Sequence, residues 1–155
     1  MLRLPKDVDR HPKLAALEAY FSVPSKPLVF DDKMRQALRA VFGTGHLVQG
    51  LEAIETLLDR EKKGIDSVRE KTGQTPSSQR MSRLVFLATD GSDRFERHAE
   101  AMLSRHADRV HAVRIAADSE ALGAALTAKG NPAKALMIAD RKALGLFLAA
   151  LAALL

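Results

Sequence analysis

The sequence has no cysteine, no tryptophan and a single tyrosine. Without cysteine there are no disulfides, no thiolate chemistry and no sulfur-ligated zinc, which fits the reducing cytoplasm where we expect this protein. Aromatic residues make up 5% of the chain, too few to build the stacking platforms that hold single-stranded nucleic acid. Long apolar runs are missing as well. The most apolar stretch, "LGLFLAALAALL" at 144–155, is uncharged but has 12 residues, against the roughly 20 that a membrane span needs. We therefore expect no membrane association. The opening "MLRLPKDVDRHPK" carries charges and lacks the continuous apolar core of a secretory signal.

Motifs that carry catalysis or cofactors are also scarce. "GTGHLVQG" contains G-x-G, but its third glycine is out of register for a dinucleotide fingerprint, and no G-K-[ST] occurs. There is no H-E-x-x-H, and His98 and His106 are too far apart on one helix to bind a metal as an i,i+4 pair. Nothing like G-x-S-x-G surrounds a serine. The expectation is a protein that is not an enzyme and has no cofactor or metal.

What is present is a chain of 155 residues, the size of one ordinary domain, with a net charge of +5. The charge is uneven. Residues 60–83 hold seven Lys or Arg against three acids, whereas 84–155 hold nine against eight. A polyanion would feel the middle of the chain first.

Periodicity sets the elements. Asp31 or Asp32 caps a helix that places Met34, Leu38, Val41 and Phe42 on one face. A short strand in "GTGHLVQG" follows, and a second helix starts at Gly50, with Leu51, Ile54 and Leu58 at helical spacing, able to run into "REKKGIDSVREKTG" before "QTPSSQR" stops it. Apolar runs at 84–88, 109–115 and 134–140 read as strands. Strand 84–88 is followed by a helix in which Asp93 and Glu96 fit a capping box and Phe95, Ala99, Met102 and Leu103 face inward, and further helices come at 118–126 and at 141–155. This alternation predicts an α/β protein, a three-layer α/β/α sandwich with a small, mainly parallel or mixed sheet. Residues 1–31 read as an N-terminal extension. Residues 32–155 read as a single domain carrying a basic insertion at about 60–83, with an exposed connector at 72–82.

Two stretches could carry function. "ATDGS" ends strand 84–88 where open α/β sheets place ligands, so Asp90, Gly91 and Ser92 are either ligand contacts or a turn with a helix cap. "TAKGNPAK", 127–134, offers Lys129, Asn131 and Lys134 as phosphate contacts, or is a plain turn.

The "ATDGS" segment, within 84–115, resembles universal stress proteins, which implies a nucleotide at Asp90–Ser92. A longer resemblance runs through "LRAVFGTGHLVQGLEAIETLL", "RLVFLATDGSDRFERHAEAML" and "DSEALGAALTAKGNPAKALMIAD". In these segments the chain is similar to the kink-turn RNA-binding superfamily of ribosomal protein L-seven-Ae and its bacterial YlxQ-type relatives. Gly50, Ala88, Asp90, Ser92, Leu122 and Gly123 fall at matching places. The family's Asn-Glu pair after the glycine is replaced by Leu51-Glu52-Ala53, and the link before strand 84–88 is longer.

The resemblance implies RNA as the partner, with Gly50 allowing the backbone to approach and Glu52 reading a base. Phosphate contacts are then expected from Lys62, Lys63, Arg69, Lys71, Lys129, Asn131 and Lys134. The alternatives are a nucleotide at Asp90–Ser92, or a protein partner or second copy docked on the leucine-rich helix 141–155.

Overall fold

The computed structural model describes residues 27–73, 82–126 and 131–154. The elements, in chain order, are α1 (Asp32–Phe42), β1 (Leu47–Gln49), α2 (Leu51–Thr72), β2 (Arg83–Leu87), α3 (Asp93–Arg105), β3 (Val110–Arg114), α4 (Ser119–Ala124), β4 (Ala135–Ile138) and α5 (Arg141–Leu154). The four strands form one sheet in the order β1-β4-β2-β3. β3 runs parallel to β2, whereas β4 is antiparallel to both β1 and β2. The fold is therefore α/β with a mixed sheet. Of the mainly parallel or mixed sheet expected, it is the mixed one that forms, because β4 enters the centre of the sheet from the opposite end.

Strand residues alternate between faces, and this alternation divides the core. Leu84, Phe86, Leu136 and Ile138 point to one cluster with Met34, Leu38 and Val41 of α1 and with Leu144, Phe147, Leu148 and Leu151 of α5. Phe86 meets Phe147 edge to face, with ring centroids 5.4 Å apart. Val85, Leu87, Ala135 and Met137 point to a second cluster with Leu51, Ile54 and Leu58 of α2 and with Ala99 and Met102 of α3. Leu28 lies in the first cluster and bridges to Ile115 in parallel, so the packed core reaches back before residue 32.

The helix starts follow local chemistry. Asp31 caps α1 by accepting from the Met34 N–H at 3.0 Å, and Asp140 does the same for α5 through Ala143 at 3.1 Å. At α3 the cap is Ser92, which accepts from the Phe95 N–H at 3.1 Å. The Asp93–Glu96 capping box does not form. Glu96 is turned away to Arg114, which donates two hydrogen bonds to it at 2.8 and 2.6 Å. The charged helix α2 runs unbroken to Thr72, where Gly73 closes it with φ +68°. The stretch 60–72 is thus the second half of a helix. Most of the expected connector, 74–81, lies outside the described residues.

Candidate nucleic-acid interface

The two ends of α2 hold most of the residues singled out for RNA. At its start, Gly50 has φ +96° and ψ 138°, a conformation that strains any residue with a Cβ. Its N–H donates to the Ala135 carbonyl at 2.9 Å, which ties the turn to β4. No side chain caps α2, and a Cβ built on Gly50 would meet nothing within 4 Å. The first N–H groups of a helix point outward with a partial positive charge. Glu52 is exposed in that first turn, and Lys134, one residue before Ala135, is exposed beside the same end of the sheet.

The other end of α2 projects beyond the core. After Leu58 none of its residues is buried, and Val68 remains 50% exposed. Lys62, Lys63, Arg69 and Lys71 are all exposed. Among the described residues no ion pair engages them. A rise of 1.5 Å per residue puts Lys62 about 16 Å and Lys71 about 30 Å along the axis from Leu51. Gly50 and this group are therefore separate points at the two ends of one helix.

What anchors α2 is a series of ion pairs that sequence reasoning missed. Glu55 accepts from Arg105 at 2.8 Å and lies 3.0 Å from the His98 ring nitrogen, and Asp59 lies 3.0 Å from that of the buried His106. Glu61 accepts from Arg83 at 2.6 and 3.2 Å and from Arg109 at 3.0 Å. Arg109 also donates to the Leu58 carbonyl at 3.1 Å, so its guanidinium is held inside. Burial pushes the Glu61 carboxyl up, but hydrogen bonds from Arg83 and Arg109 outweigh it, and the group lies below its ordinary value. Hydrogen bonds from Arg105 and then His98 lower Glu55 likewise. Acids at 55 and 59 stand one turn apart, a signal visible in the sequence. Their partners on α3 and β3 are a matter of tertiary placement.

The Asp90-Gly91-Ser92 segment is engaged within the chain. Asp90 accepts from the Ser119 hydroxyl at 2.7 Å and from its N–H at 2.9 Å. The hydroxyl bond is the main reason that the Asp90 carboxyl lies below its ordinary range, and the nearby Lys134 adds to the effect. Phe95 packs over Gly91, where a Cβ would fall 2.4 Å from the ring. Ser92 is the α3 cap. The turn thus ties the end of β2 to the start of α4 and to α3.

In the loop before β4, Asn131 is exposed, and its carbonyl lies against Gly123 of α4, so close that a Cβ on Gly123 would fall 1.8 Å from it. Lys129 lies outside the described residues. The apolar face of α5, expected as a docking surface, is buried against α1 and the sheet, with Leu146 the outward-facing leucine at 45% exposure. Among the described residues no group of three or more His, Asp or Glu side chains is placed to hold a metal ion, and no helix is long and apolar enough to cross a membrane.

No protein-family model and no curated protein matches the chain. Among solved structures, it is similar to a Bacillus halodurans C protein described as having unknown function. That match has 14% identity and a TM-score of 0.50, and it covers 79% of this chain and 99% of the other. At that identity the likeness concerns the fold alone.

Proposed function

We propose that this chain is a non-enzymatic, cytoplasmic RNA-binding domain that holds structured RNA, of the kink-turn or ribosomal kind, chiefly through backbone phosphates. The observation that carries the reading is the projecting half of α2. There four cations stand exposed and unpaired by the rest of the described chain, as do Arg60, Arg94 and Arg97, whereas Arg83, Arg105, Arg109 and Arg114 are each tied to an acid. Cations free of ion pairs among the described residues and raised on a rigid element suit phosphates, whose contacts position an RNA without reading its sequence.

The uncapped start of α2 at Gly50, with Lys134 beside it, supplies a second contact point, and Glu52 is the group there able to accept from a base. Asn131, exposed three residues before Lys134, is a further candidate phosphate contact, as Lys129 is on its sequence alone. The nucleotide reading is less favoured, because Asp90, Gly91 and Ser92 already have structural work.

The test is affinity for a kink-turn RNA and for an unkinked duplex, each over a salt series. Removing any one of Lys62, Lys63, Arg69 or Lys71 should weaken both complexes alike and reduce the salt slope by roughly one. Glu52→Ala should change the preference between the RNAs and leave the slope in place. Negligible affinity for both RNAs at low salt would end the RNA reading.

A further inference from the structure

β3 is an edge strand, and the direction of its free groups can be read from its bonds. The Arg83 N–H donates to the Arg109 carbonyl, and the Ile115 N–H donates to Leu87, so odd-numbered residues bond inward to β2. On the outer side, the Leu28 N–H donates to the Arg114 carbonyl at 2.7 Å, and the Ala116 N–H donates to Leu28 at 2.8 Å. By alternation the N–H and C=O of Ala112 also point outward. Among the described residues, Leu28 is the one residue that pairs along this edge, and it does so at its far end. It shows that the edge accepts an extended chain.

The side chains of these even-numbered residues face the α3 side of the sheet. There Val110 and Ala112, with Leu87, Ala99 and Leu103, line an open groove of about 470 Å³ between α3 and β3. The charges at its rim are unequal. Arg114 is neutralised by Glu96 through two hydrogen bonds. Glu100, one turn further along α3, is exposed, and no ion pair among the described residues engages it. Among the described residues, the groove therefore joins a backbone edge left unpaired at Ala112, an apolar floor and one carboxylate without an ion-pair partner.

We infer that this edge and groove take an extended segment of a partner protein as an added strand, with apolar side chains at alternate positions and a lysine or arginine among them facing Glu100. Backbone bonds to Ala112 would hold the strand, the apolar floor would select alternate side chains, and the carboxylate would select the charge.

The probes are two capped heptapeptides of alternating valine and threonine, one with lysine and one with glutamate at the central valine-face position. They are titrated into the RNA-free, full-length protein and followed by amide chemical shifts. The lysine peptide should give saturable shifts confined to 110–116 and 96–104, and it should bind about threefold or more tightly than the glutamate peptide. Glu100→Lys, an exposed change, should reverse that preference, and Leu103→Glu should abolish both. Shifts spread over the surface, no saturation, or equal binding of the two peptides would overturn the proposal. So would concentration-dependent broadening of 110–114 without peptide, which would mean that a second copy of the chain occupies the edge. RNA affinity enters none of these readouts, so this inference and the RNA reading fail separately.

Discussion

Replacing Gly123 and Gly64 by alanine makes the same chemical change in two helices, and the structure predicts opposite outcomes. At Gly64, in the exposed second half of α2, a Cβ meets nothing within 4 Å. Alanine there gains the helix propensity that glycine lacks, about 1 kcal/mol, and should raise stability by that amount. At Gly123 the Cβ would sit 1.8 Å from the Asn131 carbonyl oxygen, 2.7 Å from its carbon and 3.1 Å from Pro132 Cα. These are backbone atoms, which no rotamer change moves. The segment is also pinned downstream, by the Ala133 N–H donating to Ser119 at 2.9 Å and the Lys134 carbonyl accepting from Ala88 at 2.9 Å. Forced displacement of this kind costs about 1–3 kcal/mol, and an overlap this deep belongs at the upper end. The propensity gain offsets part of it and leaves a loss of about 2 kcal/mol. For a domain of this size that is a fall in Tm of about 4–8 °C, against a rise of about 2–4 °C for Gly64→Ala. Urea unfolding of the three proteins measures both. If Gly123→Ala is neutral or stabilising, α4 does not approach the 131–132 backbone as described.

The Glu61 ion pairs predict a pH dependence. Because the folded carboxyl titrates below its ordinary value, its contribution is fully present above the unfolded pKa and is lost as pH falls through the folded one. Glu61→Gln should cost about 2 kcal/mol at pH 7, and the gap to wild type should narrow below about pH 4.5 in urea unfolding followed against pH. Ser92→Ala removes the α3 cap and should cost about 1 kcal/mol with no effect on RNA affinity. Asp90→Ala should lower Tm by freeing the start of α4. ATP should leave the wild-type Tm unchanged, and a nucleotide-dependent shift lost in Asp90→Ala would favour the nucleotide reading instead.

Much of the fold was legible because apolar residues kept their periods. β2, β3, β4 and α4 lie within a residue or two of where alternation and helical spacing put them, and α3 buries the Ala99 and Met102 expected on its inner face. Strand direction was not legible. "KALMIAD" has the same buried pattern whether it runs with or against its neighbours, and only the hydrogen-bond register makes β4 antiparallel. The end of α2 was legible from "TGQTPSSQR", although beyond Glu61 no core remains to impose a period and the helix continues on its own propensity. The apolar C-terminal helix read as either buried or partner-seeking because sequence does not say which faces are covered, and α1 covers it. Asp90 was visible as a turn residue, but its partner Ser119, 29 positions away, was not.

The central claim is that the exposed cations of α2 hold RNA, and RNA recovered with the protein tests it most directly. Purified at low salt from cells, the wild-type chain should carry RNA, seen as excess absorbance at 260 nm, that is lost after nuclease and high salt. The variant with Lys62, Lys63, Arg69 and Lys71 all replaced by glutamate should emerge folded and free of it. A wild-type protein that emerges free of RNA at low salt and then fails to bind added kink-turn RNA would contradict the account.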